Sequence, residues 1–315
     1  MTAEDTGKKA IKIIDSIVGN ALLTVIVIMV AFAFYALWDS NQIIKAADKS
    51  NYEVYKPTKE NEGKTFAELK AVNPEVIAWL DVYGTNIDYP VTQGEYNMKY
   101  VNTSAEGKYS ISGAIFLDSG NSSDFSDFNN ILYGHHMDKN VMFGELERFS
   151  VKDIFDGRRY GNLYYNGQDH GIEFFAFIHT DAYDGEVLAL VGEEGRQEYI
   201  GNLLTEATHK RDVGITAGDR IVLLTTCSSD STNGRDILAG RITDEVFADK
   251  FKAQEADGQK SQTAAVTSSL VERLFVLSLL LAIVLIVCIA ALVSRDRRMK
   301  KNKKKQHENG HDEKN

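Results

Sequence analysis

Two long apolar runs, one near each end of the chain, dominate its hydropathy pattern. Residues 17–38 form an uncharged run of 22 residues, and residues 274–293 form a second run of 20. Because a helix rises about 1.5 Å per residue, each run can cross a hydrocarbon core of about 30 Å. The first run is also longer than the ~7–15 apolar residues of a cleaved signal peptide. The pattern therefore predicts two transmembrane helices that flank a folded region.

The region between the two runs changes its period along the chain. Residues 39–55 and 65–72 place apolar side chains at helical spacing, which predicts two helices, the second with Thr65 as its N-cap. From residue 76 onward, short apolar runs alternate with clusters of Gly, Asn, Asp and Ser, a pattern typical of an antiparallel sheet or barrel. The predicted strands are 76–80, 87–91, 113–117, 130–133, 160–165, 172–178, 221–227 and one that begins at Ile237, and further helices are predicted over 142–155 and 194–207.

Basic residues beside the apolar runs predict the orientation in the membrane. Lys8, Lys9 and Lys12 precede the first run, and eight Lys or Arg residues follow the second run between residues 295 and 305. Since cytoplasmic flanks are enriched in Lys and Arg, both termini are predicted to be cytoplasmic. The predicted organisation is a cytoplasmic N-terminus (1–16), a transmembrane helix (17–38), an extracellular domain (39–248), a linker (249–273), a second transmembrane helix (274–293) and a basic cytoplasmic tail (294–315).

Composition and charge narrow the class of protein. Of the 315 residues, 43% are hydrophobic and 25% are charged, which is enough for one substantial core. Residues 39–273 hold 23 Lys and Arg against 38 Asp and Glu, a net charge of −15 that argues against nucleic acid as a partner. Residues 294–315 carry a net charge of +5, which suits the anionic inner leaflet of a lipid bilayer or acts only as a stop-transfer signal.

The one cysteine outside the apolar runs, Cys227, is a candidate nucleophile. The other cysteine, Cys288, lies within the second run, so Cys227 has no disulfide partner outside the membrane. A nucleophilic thiol needs a base or a cation nearby, because an ordinary thiol pKa of about 8.5 leaves it mostly protonated at neutral pH. Arg235 opens the next apolar run, so two strands and a loop would place it at the same sheet edge as Cys227.

Histidine is the usual base for such a thiol, and one pair stands out among the five His residues between the apolar runs. His135 and His136 follow the predicted strand 130–133 after Gly134, so at least one of them can project from a sheet end, as Cys227 does. A single His elsewhere is more often structural or solvated. No cofactor or metal is predicted, since the Asp residues at 118, 124 and 127 lack calcium-loop spacing and the His and Cys residues lack paired zinc spacing.

Three motifs together resemble those of the class B sortases. The first is Tyr-Gly-His-His-Met at 133–137, followed by Met-Phe-Gly-Glu-Leu at 142–146. The second is Leu-Thr-Thr-Cys at 224–227, and the third is Arg235, eight residues after the cysteine. The likeness also includes residues 87–94, 115–118 and 124–127, and it extends from about residue 39 to residue 245.

This resemblance implies a mainly β fold, a closed sortase-type β-barrel with N-terminal helices and a helix before the cysteine strand. It also implies a transpeptidase in which Cys227 attacks the threonine carbonyl of a sorting motif, near the C-terminus of a secreted protein, and holds that protein as a thioester. His135 would act as general acid and base, and Arg235 would donate hydrogen bonds to the oxyanion or the bound peptide. Thr225 and Thr226 would contact the substrate, and no cofactor is implied.

The identity of the acceptor amine stays open at this point. The usual acceptor in the family is a peptidoglycan precursor on the outer face of a Gram-positive membrane. Pilin-polymerising sortases use a lysine amine and commonly carry a C-terminal span like 274–293, but they also carry an Asp-Pro lid, which no proline of this chain forms. A plain cysteine peptidase and a non-catalytic two-span receptor that binds peptide are further alternatives, and His136 could exchange roles with His135.

Overall fold

The computed structural model describes residues 3–58, 64–182, 186–227 and 233–252. It begins with a long helix, α1 (Ala3–Ala47), of which Ile13–Ala47 is long and apolar enough to cross a membrane. This helix contains the first predicted transmembrane run and suggests a membrane anchor. The second predicted run, 274–293, and the basic tail lie outside the described residues, as does most of the predicted linker.

The helical segments after the anchor differ from their predicted bounds. The predicted helix over 39–55 was wrong beyond Ala47, because Asp48 leaves helical geometry and its carboxylate accepts a hydrogen bond from the Ser50 N–H. Two short 3₁₀ turns follow, Lys49–Asn51 and Glu53–Tyr55. Helix α2 (Lys64–Val72) begins one residue before Thr65, so the predicted N-cap is wrong and lies inside the helix.

Eight of the nine described strands close into a barrel, in the order β5-β1-β2-β3-β4-β8-β9-β6, and β6 then pairs with β5. Strand β7 extends the sheet beside β6. The pairs β2–β3 and β4–β8 are parallel, so the predicted antiparallel sheet is correct only in part. The strands are β1 (Val76–Val82), β2 (Asp88–Thr92), β3 (Ile115–Leu117), β4 (Asn129–Tyr133), β5 (Tyr160–Tyr165), β6 (Gln168–Asp181), β7 (Ala207–Lys210), β8 (Arg220–Cys227) and β9 (Gly234–Thr243).

Helices interrupt the strand order at two places. The continuous helix predicted over 142–155 was wrong: this segment forms a 3₁₀ turn (Leu146–Ser150) and a short helix α3 (Lys152–Gly157), separated by Val151 in an extended conformation. The helix predicted over 194–207 is confirmed as α4 (Arg196–Glu206), preceded by a 3₁₀ turn at Glu193–Gly195. Further 3₁₀ turns lie at Asn97–Val101 and Asp138–Asn140.

Strand β8 is buried on both faces of the sheet. Val222 and Leu224 belong to the main hydrophobic core, whereas Ile221 and Leu223 belong to a second cluster. That second cluster also contains α4 side chains, namely Tyr199, Ile200 and Leu203. Burial on both faces explains why the sequence leading to the cysteine is continuously apolar rather than alternating.

A partly buried ion cluster connects the segment after α1 to the barrel. The Lys56 ammonium lies 2.7 Å from the Asp81 carboxylate in β1 and 2.6 Å from the Asp88 carboxylate in β2. Asp88 also accepts a hydrogen bond of 2.7 Å from the indole nitrogen of Trp79. Burial and the neighbouring Asp88 carboxylate raise the pKa of Asp81 to about 6, and Lys56 opposes that rise. One lysine therefore holds two carboxylates together.

We expect Lys56→Met to lower the free energy of unfolding by about 1–3 kcal/mol at pH 8, because two partly buried carboxylates lose their cation. Without the lysine the pKa of Asp81 should rise further. The folded chain then binds a proton that the unfolded chain does not hold, so the loss should shrink as the pH falls from about 8 to about 5. Urea unfolding followed by tryptophan fluorescence at both pH values measures the effect.

The matched control is Lys70→Met, which makes the same change at an exposed position of α2. It should alter the free energy of unfolding by less than about 0.5 kcal/mol. An equal loss for Lys56→Met at both pH values would show that packing, rather than charge, accounts for the stabilisation.

Candidate active site

The thiol of Cys227 is exposed at the C-terminal end of β8. The six residues before it, from Ile221 to Thr226, are all buried. Strand β8 lies between β4, which runs parallel to it, and β9, which runs antiparallel. The prediction that a buried strand delivers the thiol at its end is confirmed, and two neighbouring strands can bring partners to it.

The guanidinium of Arg235 is the first such partner. Arg235 pairs directly with Cys227 in the register of β8 and β9. Its Nη1 atom lies 3.3 Å from the Cys227 Sγ and 3.1 Å from the carbonyl oxygen of Gly234. The predicted placement of a cysteine and an arginine at one sheet edge is confirmed, and it puts a permanent cation in contact with the thiol.

His135 reaches the same edge from the other side of β8. Tyr133 pairs with Thr225 in the parallel register, and the Gly134 N–H donates to the Thr225 carbonyl at 3.2 Å. His135 and Cys227 each follow their paired residue by two positions, so they lie at the same end of adjacent strands. Gly134 is required here, because a Cβ atom at this position would lie 2.7 Å from the ring of Phe143.

A hydrogen bond assigns the proton on the His135 ring. The Nε2 atom lies 2.9 Å from the carbonyl oxygen of Val101. A carbonyl oxygen only accepts hydrogen bonds, so Nε2 carries the proton and Nδ1 is the basic nitrogen of the neutral ring. The ring is therefore held in one tautomer, as an acid–base group beside a thiol requires.

His136 is held in a different environment. Its Nε2 atom lies 3.7 Å from a Glu147 carboxylate oxygen, and its backbone forms an isolated bridge with Met142. Its Nδ1 atom is buried and has no hydrogen-bond partner among the described residues. Strand β4 ends at Tyr133, and the Gly134 position beyond it faces Phe143 of the main core. Extending the alternation of the strand therefore assigns His135 to the face of Tyr133, on which Cys227 and Arg235 also lie, and His136 to the other face.

The two threonines predicted to contact substrate are both buried. Thr225 is 1% exposed and Thr226 is 3% exposed, and neither hydroxyl has a hydrogen-bond partner among the described residues. Thr225 lies on the same face of the sheet as Cys227, two residues before it. Thr226 lies on the opposite face, towards Leu224 and the main core. A role in substrate binding stays a prediction for both.

A polar network that no sequence motif indicated lies beside the site. The Tyr133 hydroxyl donates to Asp118 Oδ2 at 3.1 Å, and the Asn97 side-chain amide donates to the same oxygen at 2.7 Å. The Tyr133 ring stacks on Phe116 at a centroid distance of 5.3 Å. Burial and the Asp118 carboxylate raise the pKa of Tyr133, which is therefore neutral and donates. Asp118 thus fixes a side chain on the face of the candidate site.

The other three histidines lie outside this constellation. The His179 Nδ1 atom is 2.9 Å from the buried Asp236 carboxylate, which is adjacent in sequence to Arg235. His170 stacks on Tyr165, and burial lowers its pKa. His209 lies in β7, which follows α4 directly. None of the three is placed by strand register beside Cys227.

A large concavity of about 630 Å³ lies at the opposite end of the barrel from Cys227. It is lined by residues at the start of β8 and the end of β9, among them Arg220 and Thr243. None of the predicted site residues lines it. The candidate active site is therefore the open sheet edge at Cys227 rather than this cavity.

Comparison with known proteins gives three informative relatives, although no protein-family model matches the chain. Sortase B of Staphylococcus aureus is 28% identical over 183 residues, which cover 56% of this chain and 74% of that protein. Sortase B from the type II pilus of Streptococcus pneumoniae has a similar structure, with a TM-score of 0.51 and 45% identity over 57% of this chain and 99% of that chain. A class B sortase of Streptococcus pyogenes involved in pilus biogenesis gives a TM-score of 0.53 and 40% identity, again over 57% and 99%.

Proposed function

Because this chain belongs to the class B sortases, and is therefore a cysteine transpeptidase, we propose that it cleaves a C-terminal sorting motif of secreted proteins after threonine and transfers the protein to an amine. The observation that carries the proposal is the contact of 3.3 Å between Arg235 Nη1 and the Cys227 thiol, with His135 two residues beyond the end of the adjacent strand β4. We assign catalytic roles to these three side chains.

The proposed first step forms a thioester. The Cys227 thiol gives its proton to the basic nitrogen of His135, and the sulfur attacks the carbonyl carbon of the threonine in the sorting motif. The tetrahedral intermediate places a negative charge on the carbonyl oxygen. Arg235 donates to this oxygen. When the peptide bond breaks, the His135 ring gives a proton to the departing amine, so the fragment leaves as a neutral amine and not as an anion.

The second step releases the protein. An incoming amine attacks the thioester carbonyl, His135 accepts the proton that this amine loses, and the Cys227 thiolate departs. A thioester reacts well with amines, which suits transfer rather than hydrolysis. If water instead resolved the thioester, the same residues would act as a peptidase.

We expect Arg235→Lys to lower turnover by about 10²–10³-fold, the usual cost of losing an oxyanion donor. The guanidinium holds its donors in a fixed plane, whereas an ammonium is a flexible and more strongly hydrated point charge. The positive charge beside the sulfur is kept in this variant, so the rate at which a small reagent alkylates Cys227 should barely change. Both rates are measured on the same preparation.

Arg235→Gln is the matched comparison, since it keeps a planar amide with two N–H donors and removes the charge. It should slow alkylation, because the thiolate loses its neighbouring cation. Equal losses of turnover and alkylation in Arg235→Lys would instead assign Arg235 to thiolate activation.

The two candidate acceptors are a cell-wall amine of a peptidoglycan precursor and a lysine amine of a pilin. The identity of 45% and 40% to two sortases associated with pili, against 28% to the Staphylococcus aureus enzyme, favours the pilin lysine. The chain in its native membranes is incubated with a panel of sorting peptides and with each acceptor in turn. If neither amine is joined to the peptide but water hydrolyses it, the chain is a peptidase. If the peptide binds and is not cleaved, the chain is a receptor.

The proposed location is the outer face of a Gram-positive cell membrane. Helix α1 supports an anchor in the lipid bilayer, and the basic residues before it support a cytoplasmic N-terminus. Protease added to intact protoplasts should therefore cut within residues 39–273 and leave epitope tags at both termini attached to membrane fragments. Loss of the C-terminal tag to external protease would contradict the two-span orientation.

A further inference from the structure

A groove of about 570 Å³ separates α1 from the loop that follows His135. On the α1 side its wall runs from Phe32 to Ile44, and on the loop side it is formed by His136, Met137 and Asp138. The volume lies in the range of about 300–1,000 Å³ that is usual for ligand sites. The groove is thus large enough for a ligand, and the residue next to His135 lines it.

The loop that follows His135 is held against the barrel by backbone contacts. The Phe143 N–H donates to the His135 carbonyl at 3.0 Å. A Cβ atom at Gly144 would lie 2.0 Å from the Met137 carbonyl oxygen, so only glycine permits this close approach of the backbone. The Lys139 Nζ atom also lies 3.5 Å from the Asn41 side chain of α1. The loop side of the groove is therefore fixed by close backbone contacts.

The groove lies at the expected boundary between hydrocarbon and headgroups. Trp38 is the last residue of the apolar run and Asp39 is the first charged residue after it. Phe32 and Ile44 each lie six residues from Trp38, which corresponds to about 9 Å on either side of that boundary at 1.5 Å per residue. An occupant must therefore be apolar at one end and polar at the other.

The charged residues of the wall restrict the chemical class of the occupant further. On the hydrocarbon side of Trp38 the wall is lined by Phe32 and Ala36. On the other side it contains the carboxylates of Asp39 and Asp138, beside Ile43 and Ile44. Lys139 follows directly in the loop and is exposed. Two carboxylates and one lysine suit a zwitterionic headgroup that carries an ammonium and a phosphate. A free anion would meet the two carboxylates and is disfavoured.

We propose that this groove holds one outer-leaflet aminophospholipid, with an acyl chain along Phe32 and Ala36 and its ammonium beside Asp39 and Asp138. The inference rests on the orientation given in the proposed function, and it adds that the loop next to His135 is seated on the membrane surface. The active site would then receive its substrates at the level of the headgroups.

The test uses the full chain in nanodiscs that contain one protein each, so a second copy cannot occupy the groove. The discs carry a few mole per cent of phosphatidylethanolamine with a photoreactive diazirine in its acyl chain. After illumination and proteolysis, mass spectrometry should locate adducts on the peptide of Met137 and on the peptide of Phe32 to Ala36. Tyr109, an aromatic side chain that is 79% exposed and does not line the groove, should carry at least fivefold fewer adducts.

Two variants make the experiment decisive. Ala36→Trp fills the groove and should reduce the Met137 adduct at least fivefold. Ala31→Trp makes the same substitution on a part of α1 that does not line the groove and should leave the adduct unchanged. Equal adduct yields at Met137 and Tyr109, an unchanged yield in Ala36→Trp, or replacement by phosphatidylglycerol without loss would each overturn the proposal.

Turnover of a sorting peptide is measured in the same discs, so the two proposals fail separately. A chain that transfers peptide but gives no Met137 adduct would overturn the lipid site and leave the proposed function standing. A chain that gives the adduct without turnover would overturn the proposed function and leave the lipid site standing.

Discussion

Replacing Cys227 with alanine is expected to abolish cleavage and transfer while the barrel stays folded. Without the sulfur no thioester can form, and loss of a nucleophile typically lowers turnover by at least about 10⁴-fold. The thiol is exposed at the end of β8, so its removal takes little packing from either hydrophobic cluster. The free energy of unfolding should change by less than about 0.5 kcal/mol.

Release of the C-terminal fragment from a fluorescent sorting peptide measures turnover, and thermal unfolding of the same membranes measures stability. Cys288→Ala is the matched control, since it removes the other cysteine of the chain, within the predicted second apolar run. It should keep full activity. Turnover by Cys227→Ala above the background of membranes that lack the protein would mean that another group attacks the substrate.

The partnership of Cys227 with Arg235 could be predicted because it is local. The two residues are eight positions apart, and an apolar run ends at the first and begins at the second. Two antiparallel strands joined by a short connection bring such positions together at one edge. The register confirms the pairing, and side chains paired in register share a face of the sheet.

The partnership of Cys227 with His135 could not be derived from the pattern of the sequence alone. It depends on a parallel pair, β4 with β8, whose strands are separated in sequence by α3, β5, β6, α4 and β7. The spacing of apolar residues indicates that a segment forms a strand, but it carries no information on which other strand pairs with that segment. The motif resemblance supplied this juxtaposition before the structure did.

The failed helix prediction over 142–155 has a local cause. Met142 has a φ of 52°, in the left-handed region that ordinary side chains rarely adopt, and Lys139 and Asn140 share this conformation. The apolar side chains of Phe143, Leu146 and Phe149 recur at helical spacing because they pack into the barrel core from turns. Periodicity shows which residues face the core and not how the backbone presents them.

Replacing His135 with alanine should lower turnover by about 10²–10⁴-fold, the usual contribution of a positioned acid–base group. His136→Ala should keep most of the activity. The two rings are adjacent in sequence, but only His135 continues the face of Tyr133 towards Cys227, and its Nε2 atom is engaged by the Val101 carbonyl. The same peptide assay compares the two variants, and thermal unfolding checks that each remains folded.

A second substrate separates proton transfer from a structural effect of the substitution. An activated ester in place of the scissile amide has a leaving group that departs without a proton, so thioester formation no longer needs the acid. The deficit of His135→Ala should therefore shrink at least tenfold for the ester, measured as the single-turnover rate. A purely structural loss would affect both substrates equally. If His136→Ala showed the larger deficit and the leaving-group dependence, His136 would be the acid, despite its placement beside Glu147.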